Sequence, residues 1–212
     1  MVHKQRSKKF YNSLQAEGED RNQKTAAIAI DSMGNVYLPI IPVQDLYYYR
    51  KLTVSVFGVH NLKDRTMVSY VYHEGEGGKG PNEVASHLSK CIETYILCDP
   101  HIKKLKIFAD NCAGQNKNHV IVRFIMVLVE VSKFDSVELF YPIRGHSFMP
   151  CDRDFSLIKR KLRRIDRLYL LEEIVNVIRN ASRNPSKFRV NLPRPDAFLN
   201  FGNWWQSYYK KS

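Results

Sequence analysis

Long apolar runs are missing from this sequence of 212 residues. No stretch approaches the roughly 18 uninterrupted apolar residues that a membrane-spanning helix needs, which argues against a membrane protein. The N-terminal segment is basic but is not followed by an apolar core, so a secretory signal is not expected. Only four cysteines are present, and none forms a C-x-x-C pair. This pattern favours reduced thiols in an intracellular protein.

Phosphate-loop and zinc-finger spacings are also missing. The stretch Glu74–Gly80 resembles a phosphate loop in its glycine content, but it lacks the G-K-[ST] ending that such loops need. Nucleotide binding is therefore not expected, and the stretch is interpreted as a flexible connection into a helix that begins near Pro81. A zinc site is an alternative for four residues that lack the close ligand pairs typical of such sites: Cys112, His119, His146 and Cys151.

Acidic residues are scarce in the last quarter of the sequence. The net charge is +12, and residues 152–212 hold 14 Lys and Arg against six Asp and Glu, whereas residues 25–151 hold 13 against 12. Such an excess attracts polyanions by long-range attraction and counterion release, so DNA is the expected partner. The alternatives are a solvated helix face and a nuclear-import signal, and the latter implies a nuclear protein. The residues concerned are Lys159, Arg160, Lys161, Arg163 and Arg164.

Hydrophobic periodicity predicts the order β-β-β-α-β-α-β-α for the central part of the chain. Residues 1–24 are interpreted as a basic helical arm, residues 25–190 as the main domain, and residues 191–212 as an aromatic and basic tail. The predicted elements are the helix Phe10–Asn22, the strands Ala26–Ile30, Tyr47–Val59 and Thr66–His73, the helix Pro81–Leu97, the strand Leu105–Ala109, a helix from His119, the strand Ser136–Tyr141, and the helices Asp152–Leu170 and Glu172–Arg179.

Connection lengths predict how these strands pair. Short links between the first three strands predict an antiparallel meander, and the two later strands, each reached through a helix, predict right-handed parallel crossovers. The expected fold class is therefore α/β, with a mixed five-stranded sheet of three antiparallel and then two parallel strands, flanked by helices on both faces. In this arrangement the first strand pairs with the fourth.

Acidic residues stand at three places where the chain leaves the predicted sheet. Asp31 ends the first strand, Asp110 ends the fourth, and Asp152 with Asp154 opens the helix after the fifth. Carboxylates crowded at one sheet edge repel one another and stay ionised only when cations lie between them. Mg²⁺ and Mn²⁺ are hard ions that prefer oxygen ligands, and two such ions can activate a water or a 3′-hydroxyl against a phosphodiester. The pattern predicts a Mg²⁺ or Mn²⁺ site formed by Asp31, Asp110 and one of the pair Asp152 and Asp154.

The segment after Asp110 is rich in groups that bind phosphate. Its amides and its lysine, together with free backbone N–H groups at a helix start, suit an anion. The alternative is a purely structural turn followed by a helix N-cap, a frequent role of Asp and Asn. The candidate nucleic-acid contacts in this segment are Asn111, Gln115, Asn116 and Lys117.

The element order, with Asp at these junctions, resembles the ribonuclease-H-like core of transposases and retroviral-type integrases. Asp110-Asn111, with Gly114 close behind, is similar to the Asp-Asn-Gly turn that carries the second catalytic carboxylate of integrases. More closely, residues 30–190 resemble an uncharacterised, transposon-derived domain family of animal genomes. The segments concerned are Leu38-Pro39, Tyr47–Leu52, Phe57–His60, His73-Glu74, Lys79–Val84, Asp110–Asn118, Arg144–Ser147 and Asp152–Phe155.

The resemblance implies roles for individual residues. Asp31 would be the first metal carboxylate and Asp110 the second, and the third falls on Asp152, because the acidic residue of the family follows the histidine by six positions and His146 is that histidine. Asp154 is the other candidate for the third position. His146 would be a proton shuttle or a contact to the scissile phosphate, the alternative being an ordinary loop histidine. Integrases usually carry Glu on this helix, so a shorter Asp is a departure from their pattern.

Two hypotheses follow from these residues. The first is a transposase-like or integrase-like enzyme that uses divalent metal to act on DNA phosphodiesters. The second is a domesticated remnant that keeps the fold and a basic nucleic-acid- or protein-binding surface without catalysis. The aromatic tail, with Trp204-Trp205 and Tyr208-Tyr209, indicates an interface with a second copy or with flanking domains, although base stacking is an alternative.

Overall fold

The protein was analysed as a computed structural model that describes residues 2–20, 22–43, 49–143 and 148–208. A sheet with helices on both faces organises these residues. The elements in chain order are α1 Val2–Glu19, β1 Thr25–Leu38, β2 Leu52–Asn61, β3 Met67–His73, α2 Pro81–Cys91 continued by a π-helical turn Ile92–Ile96, β4 Lys104–Ala109, α3 His119–Glu130, β5 Ser136–Phe140, α4 Pro150–Leu162, α5 Leu171–Arg179, β6 Phe188–Asn191, a 3₁₀ turn Pro195–Ala197 and α6 Phe201–Tyr208.

The sheet has six strands in the order β5-β4-β1-β2-β3-β6. The first three strands pair antiparallel, and β4 and β5 run parallel to β1, as the sequence predicts. The expectation of five strands is wrong, because β6 adds in parallel to the outer edge of β3, with Phe188 opposite Met67. This strand has only four residues, so its alternation of apolar and polar side chains is too short to be detected in the sequence.

The first strand extends past its predicted end. The sequence predicts that it stops at Asp31, but β1 continues to Leu38 because β2 still pairs with it there. The irregularity between Met33 and Val36 is a β-bulge or a similar break in register. Asp31 nevertheless lies where the parallel pairing with β4 stops.

Alternation along the strands produces two cores. In β1, Ala27 and Ala29 contribute to one face, whereas Ile28 and Ile30 contribute to the other. The first face is covered by α1, α4 and α5 and the second by α2 and α3, which gives three layers. No helix in the described parts of the chain is long and apolar enough to cross a membrane.

The helix predicted as a basic arm packs on the sheet. Phe10 in α1 is buried and meets the ring of Phe108 in an edge-on contact, with 5.6 Å between the ring centroids. Glu17 and Lys106 form an ion pair at 2.6 Å. The observed helix spans Val2–Glu19 instead of Phe10–Asn22. The division of the chain into arm, domain and tail stays a prediction.

The fourth helix is shorter than expected. The sequence predicts a helix from Asp152 to Leu170, but α4 ends at Leu162. The chain after it pairs back on itself, because Leu168 and Ile40 exchange backbone hydrogen bonds of 2.8 Å in both directions. The basic residues Arg163 and Arg164 therefore lie at and just beyond the end of α4.

Gly58 allows α4 to approach the sheet closely. A Cβ at this position would lie 2.9 Å from the ring of Phe155 and 1.9 Å from the terminal methyl of Met67. Gly58 is the residue of β2 opposite Asp31, so this contact sets the height of α4 above the sheet next to that aspartate. The position of α4 therefore depends on Gly58, the same residue that pairs with Asp31 in the sheet.

Replacing Gly58 by alanine should destabilise the fold. The added methyl overlaps a buried ring, so we expect a loss of about 1–3 kcal/mol in the free energy of unfolding. Denaturant unfolding measures this loss. Gly114→Ala is the matched control, because a Cβ there meets nothing within 4 Å. Equal effects of the two substitutions would contradict the role assigned to Gly58.

Candidate active site

Parallel pairing of β1 and β4 brings two aspartates to one edge of the sheet. Ile30 and Ala109 are the last paired residues, so Asp31 and Asp110 follow at equivalent positions on neighbouring strands. Asp31 stays inside β1 opposite Gly58, whereas Asp110 opens the loop before α3. Both side chains are partly buried.

The first turn of α4 brings a third carboxylate. Pro150 occupies the start of the helix, and the Oδ2 atom of Asp152 accepts a hydrogen bond of 2.8 Å from the backbone N–H of Met149. Cys151, which lies between Pro150 and Asp152 in the chain, is fully buried, and its thiol donates to the carbonyl of Ala29 at 3.2 Å. This hydrogen bond attaches the start of α4 to β1 at Ala29, two residues before Asp31.

The pKa of Asp31 reflects its burial and the charges around its carboxyl group. The pKa of Asp31 is raised from 3.8 to about 7, with burial as the largest cause and the negative charges of Asp110 and Asp152 as further causes. A hydrogen bond of 2.7 Å from the backbone N–H of Ser32 opposes the shift, as does the positive charge of Lys159. The carboxyl of Asp31 therefore lies in the field of two other carboxylates.

Lys79 was not recognised in the sequence as a member of this site. It belongs to the glycine-rich loop before α2, and its Nζ donates to the carbonyl of Met33 at 2.9 Å. Burial lowers the pKa of Lys79, and the charge of Asp31 opposes that change. The loop does not match a nucleotide-binding motif, so the sequence predicts only a connection there, and its single lysine is the one signal of a further role. On the helix side, Lys159 is the second lysine near Asp31.

The segment after Asp110 has both a structural and a positioning role. Asn118 caps α3 through a bond to the backbone N–H of Ile121 at 3.2 Å, as the structural alternative predicts. Asn116 is 1 % exposed and donates to the carboxylate of Asp110, while the hydroxyl of Tyr141 donates to the Asn116 carbonyl at 2.8 Å. Burial raises the pKa of Tyr141, and the charge of Asp110 adds to the effect. Asp110 is therefore held by a buried amide.

The remaining candidates of this segment differ in their contacts. Asn111 donates weakly to the carbonyl of Pro142 at 3.4 Å. Lys117 is exposed and its Nζ lies 5.4 Å from the centroid of the Tyr141 ring. Gln115 is partly buried, and its carbonyl accepts a bond of 3.0 Å from Asn118. Lys117 is the charged member of the four candidates, and its side chain is exposed.

Asp154 has other partners. It is 2 % exposed, its Oδ2 lies 2.6 Å from Nδ1 of His60, and its Oδ1 lies 2.8 Å from Nζ of Lys187. These contacts join α4 to β2 and to the segment before β6. The charge of Asp152 raises the pKa of Asp31, whereas both carboxylate oxygens of Asp154 already contact His60 and Lys187. These contacts favour Asp152 over Asp154 as the candidate third carboxylate.

His146 lies outside the described residues, together with its neighbours in the loop before α4. The cysteines and the remaining histidine of the zinc alternative do not converge: Cys151 is fully buried, whereas Cys112 is partly exposed and His119 exposed. In the described part of the chain, no three His, Cys, Asp or Glu side chains stand close enough to hold a metal ion as placed. The donor chemistry of Asp31, Asp110 and Asp152 nevertheless suits a hard dication, because all three offer carboxylate oxygens. A bound cation would also favour the ionised form of Asp31 against burial and the neighbouring negative charges, which raise its pKa.

The basic run divides between two surfaces of α4. Residues seven apart on a helix share a face, so Lys159 lies on the face of Asp152. Arg160, Lys161 and Arg164 line a groove with residues of the segment after α5. All three are exposed. The basic run, which is one cluster in the sequence, is therefore divided between two surfaces of the folded protein.

Comparison with known proteins gives one match over most of the chain. A family model described as a domain of unknown function, DUF7869, matches residues 44–211. The chain belongs to this family. The match includes Asp110 and Asp152 and begins after Asp31. No curated protein matches the chain.

Two solved structures of one viral domain are also similar. The human cytomegalovirus terminase nuclease domain, Mn soaked, is 12% identical with a TM-score of 0.32, and the alignment covers 95% of this chain and 95% of that chain. The same domain, Mn soaked and inhibitor bound, is 13% identical with a TM-score of 0.32 over 85% of this chain and 75% of that chain. TM-scores this low carry no weight for the activity.

Replacing Asp154 should be far more damaging to stability than replacing Asp152. Asp154→Asn removes a buried charge from its contacts with buried His60 and partly buried Lys187, so we expect a loss of about 2–4 kcal/mol. Asp152→Asn keeps an oxygen that can accept from Met149 and should change stability by less than about 1 kcal/mol. Denaturant unfolding in EDTA compares them. A larger loss for Asp152→Asn would reverse the assignment of the two aspartates.

Asp31 should make stability depend on pH when metal is absent. Because its pKa in the folded state exceeds the unfolded value, the folded protein binds the extra proton between pH 3.8 and about 7, and stability falls as pH rises through that window. Asp31→Asn removes this loss, so in EDTA the variant should exceed the wild type by about 2–4 kcal/mol at pH 8 and by less at pH 5.

Thermal and denaturant unfolding at the two pH values measure this difference. The exposed Asp135 supplies the control, since Asp135→Asn should leave the pH dependence unchanged. A pH profile shared by the wild type and Asp31→Asn would refute the raised pKa of Asp31.

Proposed function

We propose that this protein is a transposase-like or integrase-like nuclease with a ribonuclease-H-like core that acts on DNA phosphodiesters with Mg²⁺ or Mn²⁺. The observation that carries the proposal is that Asp31 and Asp110 follow the last paired residues of two neighbouring parallel strands, and that the pKa of Asp31 is raised by burial and also by the charges of Asp110 and Asp152. Three structural elements that are distant in sequence supply these groups. An isolated helix cap or turn would not require this arrangement.

The sheet supports the same proposal. Three antiparallel strands, followed by two strands parallel to the first, place the C-terminal end of β4 beside the middle of β1. The first helix turn after β5 then contacts β1 through Cys151. A transposon-derived origin of the family would account for this arrangement on a basic chain.

Each proposed residue has a distinct task. Asp31, Asp110 and Asp152 would hold the metal ions, and Asn116 orients Asp110. The chemistry that two such ions supply is activation of a water or 3′-hydroxyl and stabilisation of the leaving oxygen. Lys79 and Lys159, on either side of Asp31, would neutralise the phosphodiester as it approaches. Asn111, Gln115 and Lys117 would contact the neighbouring backbone.

A catalytically inactive nucleic-acid-binding module is the second candidate. It is favoured by the spacing of the carboxylates, which do not form a complete metal-binding group among the described residues. In that case Asp31 would remain close to half-protonated at neutral pH, and the basic surfaces alone would act. Metal-dependent cleavage separates the two candidates.

The enzyme hypothesis predicts nicking of supercoiled DNA that requires Mg²⁺ or Mn²⁺. Asp110→Asn keeps the size of the side chain but removes a charge that holds a hard dication, so cleavage should fall at least about 100-fold while melting in EDTA is retained. Calcium should stabilise the protein and support little cleavage, because its looser coordination positions the attacking oxygen poorly. Asp135→Asn serves as the exposed control and should cleave like the wild type.

Two outcomes would decide against this function. Cleavage that persists equally in EDTA and in Asp110→Asn would indicate unrelated chemistry. Stabilisation by Mg²⁺ without cleavage would favour the inactive binding module.

A further inference from the structure

The groove behind α4 has the composition of an anion site. It encloses about 850 Å³ between the C-terminal half of α4 and the segment after α5. Four cationic side chains line it, and no carboxylate does. The polar lining consists of Arg160, Lys161, Arg164, Asn180, Ser182 and Arg183.

The charges of this groove are not neutralised within the protein. None of the ion pairs formed by the described residues includes Arg160, Lys161, Arg164 or Arg183. Clustered guanidinium groups repel one another, so an arrangement without counter-charges favours an external anion. Arginine forks also match the geometry of phosphate.

The groove is preformed by a contact across it. The Nζ of Lys161 donates to the carbonyl of Asn180 at 2.8 Å, which ties α4 to the segment that carries Arg183. The ammonium keeps further donors for a ligand. Leu157 and Ala181 supply the apolar part of the lining. The two sides of the groove are thus held together before any ligand arrives.

The lining indicates a phosphate backbone as the ligand. No aromatic side chain is present on which a base could stack, and no carboxylate is present to accept a bond from a base amino group. Such a surface contacts phosphates without reading sequence. Arg160 follows Asp152 by eight residues, a rise of about 12 Å along the helix, which is the span of a few nucleotides.

We propose that the α4–α5 groove is a second nucleic-acid site, which binds the DNA backbone through Arg160, Arg164 and Arg183 on a face of α4 different from that of Asp152 and Lys159. This proposal extends the proposed function, because it gives the DNA substrate a second binding surface away from the carboxylates. It does not require catalysis, because the groove shares none of its lining residues with the carboxylate site.

The test compares two triple variants with equal loss of charge. R160A/R164A/R183A removes the arginines of the groove, and Lys161 is kept because it holds the groove together. K103A/K104A/K133A removes three exposed lysines near the beginnings of β4 and β5, and none of them lines the groove. Binding of a labelled DNA duplex of about 20 base pairs is measured in EDTA over a range of salt concentrations.

The groove variant should bind about 10–100-fold more weakly at low salt, and the slope of log K against log salt should flatten by about 2–3. The lysine control should lose less than about 3-fold. R160Q/R164Q/R183Q keeps the bulk of the side chains and should behave like the alanine variant. Melting temperatures verify that all variants are folded.

Three results would overturn the groove as a DNA site: equal losses in the two alanine triples, an unchanged salt slope in the groove variant, or equal competition by poly-glutamate and DNA at matched charge. Because binding is measured without metal, an absence of nicking would refute the proposed enzyme and leave the groove intact. Unchanged DNA binding by the groove variant, together with metal-dependent nicking by the wild type, would refute the groove alone.

Discussion

One buried carboxylate positions the helix on which both candidate surfaces depend. Asp154 is 2 % exposed and contacts His60 of β2 and Lys187 before β6. A charge in such a place is tolerated only when its partners stay within hydrogen-bonding distance, so helix, central strand and edge strand are fixed together. The contact of Phe155 with the space above Gly58 fixes the same helix turn by packing. Asp152 owes its position near Asp31 to these two constraints.

The carboxylates of Asp31, Asp110 and Asp152, in contrast, destabilise the fold when Asp31 is ionised. Burial and two neighbouring negative charges make ionised Asp31 unfavourable, and the positive charges of Lys79 and Lys159 offset this only in part. Natural proteins retain such an arrangement mainly where a ligand or a reaction uses it. The raised pKa of Asp31 and the lowered pKa of Lys79, each caused mainly by burial, are the electrostatic features on which the proposed metal site depends. The same feature explains why metal binding and stability should be coupled.

Sequence patterns were sufficient for the parts of the fold that rest on local periodicity. Alternation and apolar runs located five strands, and the crossover rule placed β4 beside β1. β6 was missed because Phe188–Asn191 is too short, and α4 was predicted too long because the pairing of Leu168 with Ile40 is a contact distant in sequence. The choice between Asp152 and Asp154 could not be made from helix periodicity alone. It depends on His60 and Lys187, which lie far from the helix in the chain.

The basic run shows the same difference between sequence and space. Six consecutive residues look like one patch, but a helix turns each residue by about 100°, so Lys159 and Arg160 point to different surfaces. Lys159 lies on the acidic side and contributes to the field at Asp31, whereas Arg160 lies in the groove with Arg183. A single helix thus separates the proposed carboxylate site from the proposed groove for the DNA backbone. Because Asp154 fixes this helix, a substitution there would disturb both surfaces together, whereas substitutions on either face would act separately.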